Sequence, residues 1–154
     1  MRKLRKMLPP LFVLLLLMSA CRSPLGEVSD TSFKAELAVD LRSVEDRLTE
    51  AERPALDVLE DNLNALVTHN HELYRSGFVD EQLADAMEGY YGEAFQYRFT
   101  DIDSVEILND SPHQIQITVL GRKLDTSTGA DEAVKLFYAI RQDGEGQWKI
   151  WTID

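Results

Sequence analysis

The chain has 154 residues, with 16 Lys+Arg against 27 Asp+Glu and a formal net charge of −11. So acidic a surface repels phosphate backbones and excludes nucleic-acid binding through a basic groove. The length suits one domain with one core, and a single cysteine, Cys21, rules out an internal disulfide framework.

At the start, Arg2, Lys3, Arg5 and Lys6 precede the apolar run Leu11 to Met18. A spanning helix needs about 20 apolar residues, so this run is too short to cross a bilayer. Small residues Ser19 and Ala20 follow, completing the layout of an export signal over residues 1–20. Cys21 comes next. The stretch Leu17-Met18-Ser19-Ala20-Cys21 resembles the lipobox of bacterial lipoproteins, with Met18 where Leu is usual. The resemblance implies a diacylglyceryl group on the Cys21 thiol, and hence the membrane as a partner through the lipid anchor. The alternative is an exported protein with an incidental cysteine. Several acyl chains make such an anchor stable where one is marginal. Arg22, in place of Asp, implies sorting to the outer membrane, facing the periplasm. Four of the 16 basic residues lie in 1–20, so the processed chain sets 12 against 27 acidic ones, a net of −15.

Residues 21–32 read as a flexible tether rich in Ser, Gly, Pro and acid, and 33–154 as the folded domain. Phe33, Leu37, Leu41, Val44 and Leu48 recur at helical spacing and predict an amphipathic helix. Arg53-Pro54 breaks it. Leu56, Leu59, Leu63, Leu66, Asn70 and Leu73 predict a second helix, ended by a left-handed cap at Gly77. Asp80 suits the N-cap of a third, roughly Glu81 to Gly89. The two long stripes also fit a coiled coil, but they are short and Pro54 lies between them, which favours packing on a sheet.

After Tyr91 the period becomes two. Phe95, Tyr97 and Phe99 form one alternating run; Ile115, Ile117 and Val119 form another. "NDSPHQ", Asn109 to Gln114, marks the connection between strands. Strands Ala133–Arg141 and Gln147–Ile153 flank the turn residues Asp143 to Gly146. The expectation is an α+β domain, with N-terminal helices packed on a curved, cone-like, four-stranded antiparallel sheet. On the last strand, strict alternation sends Trp148 and Ile150 one way and Trp151 and Ile153 the other. Phe137 and Ala139 join the second face. Both faces are then apolar, so the second should meet a partner, another copy of the chain, or the chain's own preceding segment.

With Gly146-Gln147-Trp148-Lys149-Ile150 as the final strand, this layout resembles the nuclear-transport-factor-2-like, or cystatin-like, superfamily. That resemblance implies a curved sheet wrapped around helices, with the mouth of the cone as the place for a site. Its members include enzymes, such as polyketide cyclases and dehydratases, and non-enzymatic binding modules, so the fold alone does not choose. Many members insert a helix between early strands; there is no room for it after Phe95.

Chemistry is sparse. "HNHELYR" lacks the second histidine of a zinc-protease helix, since Arg75 stands in its place, and His69 and His71 point apart on a helix. No metal or cofactor is expected; of the three histidines, His69 and His71 read as solvated helix residues and His113 falls in the connection Asn109 to Gln114. "DIDS", Asp101 to Ser104, reads as a turn between strands rather than a calcium loop. Tyr91, Phe95, Tyr97, Phe99, Phe137, Trp148 and Trp151 are the candidates for an apolar pocket or an interaction face, against ordinary core filling. No catalytic residue is assigned. The sequence therefore points to a lipid-anchored, non-enzymatic module binding a protein or a small apolar ligand, with a homodimer as one form. The alternative is a small enzyme of the cyclase or dehydratase type, acting through a pair such as His69 and Asp101 at the cone mouth.

Overall fold

The computed structural model describes residues 32–154; the expected export signal, Cys21 and the expected tether through Thr31 lie outside them. A five-stranded sheet in the order β1-β2-β3-β4-β5 carries helices on one face. Strands β2 (Phe95–Leu108), β3 (Gln114–Asp125), β4 (Ala130–Gln142) and β5 (Trp148–Ile153) form the expected antiparallel meander. The fifth strand, β1 (Glu36–Leu37), is short and parallel to β2, pairing Glu36 with Arg98 and Leu37 with Phe99. The sheet is therefore mixed, not purely antiparallel.

That first strand replaces part of the expected helix over Phe33 to Leu48. Only Leu41–Arg47 is helical, as a 3-10 helix. Asp40 explains the interruption. Its side chain accepts from the Arg42 N–H, and its carbonyl accepts from the Ser43 hydroxyl, local bonds that compete with a continuing α-helix. Leu41, Val44 and Leu48 still reach the core.

The second stripe is split as well. Helix α1 (Pro54–Thr68) stops at His69, which adopts φ 55° and ψ 42°. Asn70 then caps α2 (His71–Ser76), its side chain accepting from the Leu73 N–H. The left-handed position is thus His69. Gly77 is right-handed, at φ −72°. It serves a different end: a Cβ there would meet Ile150 Cδ1 at 3.3 Å, and its carbonyl accepts from the Ile150 N–H. Asp80 caps α3 (Glu81–Ala86) as expected, and the remainder of the third helix becomes α4 (Glu88–Tyr91).

Leu56, Leu59, Leu63 and Leu66 of α1 are buried with Ile115, Ile117, Val119, Tyr138, Ile140 and Ile150 of the sheet. Each such side chain contributes about 1.5–3 kcal/mol by leaving water.

Irregularities in two strands decide which residues face inward. In β2 the register shifts between Phe99 and Asp101 and again between Ile102 and Ser104, leaving Thr100 and Asp103 extra. "DIDS" is accordingly not a turn but part of a long strand bent by bulges, which curl a sheet. In β5 the register shifts opposite Ala139 and Ile140, which pair with Thr152 and Ile150. Trp151 is the extra residue. Ile153 therefore returns to the core face opposite Tyr138, correcting the strict alternation that would have sent it outward with Trp151.

Beside the first bulge the backbones come close. A Cβ on Gly121 would lie 2.4 Å from the Arg98 carbonyl oxygen and 3.1 Å from Phe99 Cα. Gly121→Ala should cost about 1–3 kcal/mol in urea unfolding, because backbone has to move. Gly144→Ala, in open space, should change it by less than about 0.5 kcal/mol.

Candidate functional site

The interior of the cone is filled by tyrosines. Tyr74, Tyr97 and Tyr138 are among the largest fully buried side chains. Each hydroxyl has an internal acceptor: Tyr74 donates to the Met87 carbonyl at 2.6 Å, Tyr97 to the Tyr90 carbonyl at 2.6 Å, and Tyr138 to Asn62 Oδ1 at 3.1 Å. Asn62, itself buried in the middle of α1, donates back to the Tyr74 carbonyl at 3.3 Å. Burial pushes all three phenols upward, Tyr138 most completely enclosed, so they stay neutral donors. Of the aromatic candidates, Tyr91, Tyr97, Phe99 and Trp148 belong to this core. Tyr97 and Phe99 stack at 5.4 Å, and Phe95 lies edge-on to Tyr97 with the Lys123 ammonium 4.5 Å above it.

His69 and His71 lie at the edge of that core, their rings 6.1 and 4.8 Å from Tyr91, and His113 lies elsewhere. His69 ends α1. His71 Nε2 lies 2.8 Å from Glu88 Oε1. Glu88 also approaches Arg75, whose guanidinium donates to Glu81 and Asp85 and ties α2 to the following helices. Beside it a surface cleft of about 380 Å³ is lined by Glu72, Arg75, Phe78, Asp80, Glu81 and Ala84. Asp101, the other member of the supposed pair, is exposed on β2 and bonds only the next residue's N–H among the described residues. Among those residues no group of three His, Cys, Asp or Glu is arranged to hold a metal ion.

His113 has a partner that the sequence reading missed. Glu52, 7% exposed, lies 2.9 Å from His113 Nε2. Its other oxygen accepts from the Thr49 N–H at 2.7 Å and hydroxyl at 2.8 Å. Thr49-x-x-Glu52 before an apolar stripe is the signature of a capping box, and that signal was available. His113 meets Trp148 edge-on at 5.9 Å, and the Trp148 indole donates to the Ala51 carbonyl. This cluster fastens the entry of α1 to the start of β3 and to β5.

The outer face of the sheet is different. Phe137 on β4 is half-buried there, and Trp151 is 37% exposed, one of two large apolar residues so open among the described residues. The Arg141 guanidinium sits 5.3 Å from the Trp151 ring centre. Trp151 also walls a groove of about 320 Å³ with Val79, Asp80, Gln82, Leu83 and Ala86. The seven candidates therefore separate into interior residues and the outward pair Phe137 and Trp151.

No family model matches the sequence, and neither does any curated protein. Solved structures do match. One, a candidate ketosteroid isomerase from Shewanella frigidimarina NCIMB 400, aligns with a TM-score of 0.51 at 13% identity, covering 68% of this chain and 95% of that one. The domain has a nuclear-transport-factor-2-like fold. At that identity the likeness extends to the fold alone.

Burial pushes the Glu52 carboxyl up, but the Thr49 bonds and the charge of His113 outweigh it and leave the group below its ordinary 4.5. Its stabilisation is thus present above that value and lost as pH falls through the lower, folded one. Glu52→Gln should cost about 1–3 kcal/mol near neutrality in urea unfolding, and should flatten the acid limb of stability against pH.

Proposed function

We propose that this chain is a lipid-anchored binding module of the bacterial cell envelope. In this reading Cys21 holds it to the outer membrane, and the outer face of its sheet meets a partner in the periplasm. The filled cone carries the argument. Tyrosines whose hydroxyls are committed to internal acceptors occupy the place where a ligand would sit, while Phe137 and Trp151 stand outward. Exposed aromatics with one wet edge are typical anchors of protein interfaces. The anchor rests on the basic start, the short apolar run, the small residues and the only cysteine; the outer membrane rests on Arg22.

A second reading, an enzyme of the cyclase or dehydratase type acting on an apolar ligand in the cone, is favoured by the name of the Shewanella protein. It requires the cone to open around Tyr74, Tyr97 and Tyr138. Uptake of a cavity-seeking dye by the native protein, displaced by apolar ketones, would favour it over the binding module.

Two measurements test the main reading. In cells fed an alkyne fatty acid, the protein should carry the label and remain with membranes, whereas Cys21→Ser should be unlabelled. An unlabelled wild-type protein in the soluble fraction ends the anchor. Phe137→Glu and Trp151→Glu should each alter complex size or cross-linked partner recovery while circular dichroism stays unchanged. If neither does, the outer face is not an interface.

A further inference from the structure

The outer face carries a local conflict of charge. Arg141 on β4 and Lys149 on β5 stand directly opposite each other across the antiparallel pair, an arrangement of like charges that weakens a sheet. Among the described residues neither has a carboxylate within ion-pair distance, nor does Arg98 on β2, which faces Arg122, whereas Arg122, Lys123 and Lys135 on the same sheet pair with Asp131, Glu132 and Asp103. Both side chains are nonetheless held. Arg141 donates through Nε to Gln114 and lies over Trp151, and Lys149 donates to the Ser76 carbonyl at 3.0 Å. The nearby Asp143 feels the charge of Lys149, but its carboxylate is committed to the Glu145 and Gln147 N–H groups of the turn. In a chain of net charge −11, two fixed cations without an acidic contact form an isolated positive spot. Consistency across levels makes such an uncompensated conflict a mark of function.

Trp151 joins this spot to a groove. One side of its ring faces Arg141, and the residue also lines the groove with Val79, Leu83 and Ala86, together with Gln82 and with Asp80, whose carboxylate accepts from the Leu83 N–H as the cap of α3. We infer that the Arg141–Lys149–Trp151 corner binds an acidic segment of a partner protein, which sets an apolar side chain in the groove and a carboxylate against the two cations. This rests on the proposal that the outer face is an interface, and it names the chemistry of the partner. An arginine with one fixed bond and a stacked plane is pre-organised for a carboxylate. A flat anionic membrane fits less well. It would also press against Asp143, which stands near Lys149, whereas a narrow segment meets the spot within one screening length of about 8–10 Å.

The test uses the full chain, purified from membranes in neutral detergent. The probe is a fluorescein-labelled peptide of alternating Glu and Leu, compared with the same peptide carrying Gln for Glu. Fluorescence anisotropy should show saturable binding of the acidic peptide, weakened by added salt and by about tenfold or more in Arg141→Gln/Lys149→Gln. The Gln peptide should bind correspondingly less. Absence of binding, equal binding of the two peptides, or an unchanged double variant overturns the inference. So does uptake by phosphatidylglycerol vesicles without uptake of the peptide, or binding only to a second copy in sedimentation. If Phe137→Glu abolishes partner recovery but the double variant does not, the interface stands and its acidic partner falls. If neither variant has an effect, both fall.

Discussion

The cone is closed by hydroxyls that have somewhere to go. A buried phenol without an acceptor costs about 1–3 kcal/mol, so Tyr74, Tyr97 and Tyr138 can fill the interior only because Met87, Tyr90 and Asn62 supply oxygens there. Two of those oxygens are main-chain carbonyls near the short helices α3 and α4, and the third belongs to an amide in α1. The tyrosines therefore bind the helical layer to the sheet by direction as well as by area. Emptying the cone for a ligand would mean finding new partners for several groups at once. That makes the interior a structural unit, and it moves the search for function to the outside.

What the outside presents is set by one inserted residue. Without the bulge, β5 would alternate strictly and would put both Trp151 and Ile153 on the outer face. The added residue keeps Ile153 inside with Tyr138 and leaves Trp151 outward with Phe137, beside a guanidinium and a groove. The exposed patch is correspondingly small and polar-rimmed. A broad apolar face would have invited nonspecific association. A single indole flanked by cations is more selective, because its partner must match both charge and shape.

The meander, the connection at Asn109 to Gln114 and the turn from Asp143 to Gly146 were legible, because strand alternation and turn chemistry are local signals; the turn expected at Asp101 to Ser104 was not there. Asp80 was legible for the same reason. Helix continuity was not. The stripe from Leu56 to Leu73 keeps helical spacing straight through His69 and Asn70, and only the capping preference of Asn70 marks the break. Helical spacing from Phe33 to Leu48 likewise concealed a strand, whose partner at Arg98 and Phe99 is distant in sequence. Bulges left no signal at Thr100, Asp103 or Trp151, since a register shift is settled by the neighbouring strand. The separation of Phe137 and Trp151 from the interior aromatics followed strand alternation; the bulge in β5 changed only the face of Ile153. Glu52 was missed although its capping box was visible, because its burial depends on His113 and Trp148 arriving from the far end of the chain.

Charge gives the two faces of the domain different tasks. Arg75 and its carboxylates hold the helices together in an exposed network, where each pair contributes little and salt weakens it. Acidity elsewhere keeps the surface soluble and repels other anionic bodies. Against that background a positive spot is effective only at short range, over a contact narrower than the acidic ground around it. Long-range attraction would have needed a basic surface; here the field steers acidic bodies away until geometry brings a carboxylate to Arg141 and Lys149. Such a site admits a partner by fit first and by charge second. If the proposed anchor holds the domain close to a crowded membrane, that order suits it, because encounters there are frequent and discrimination between them decides what binds.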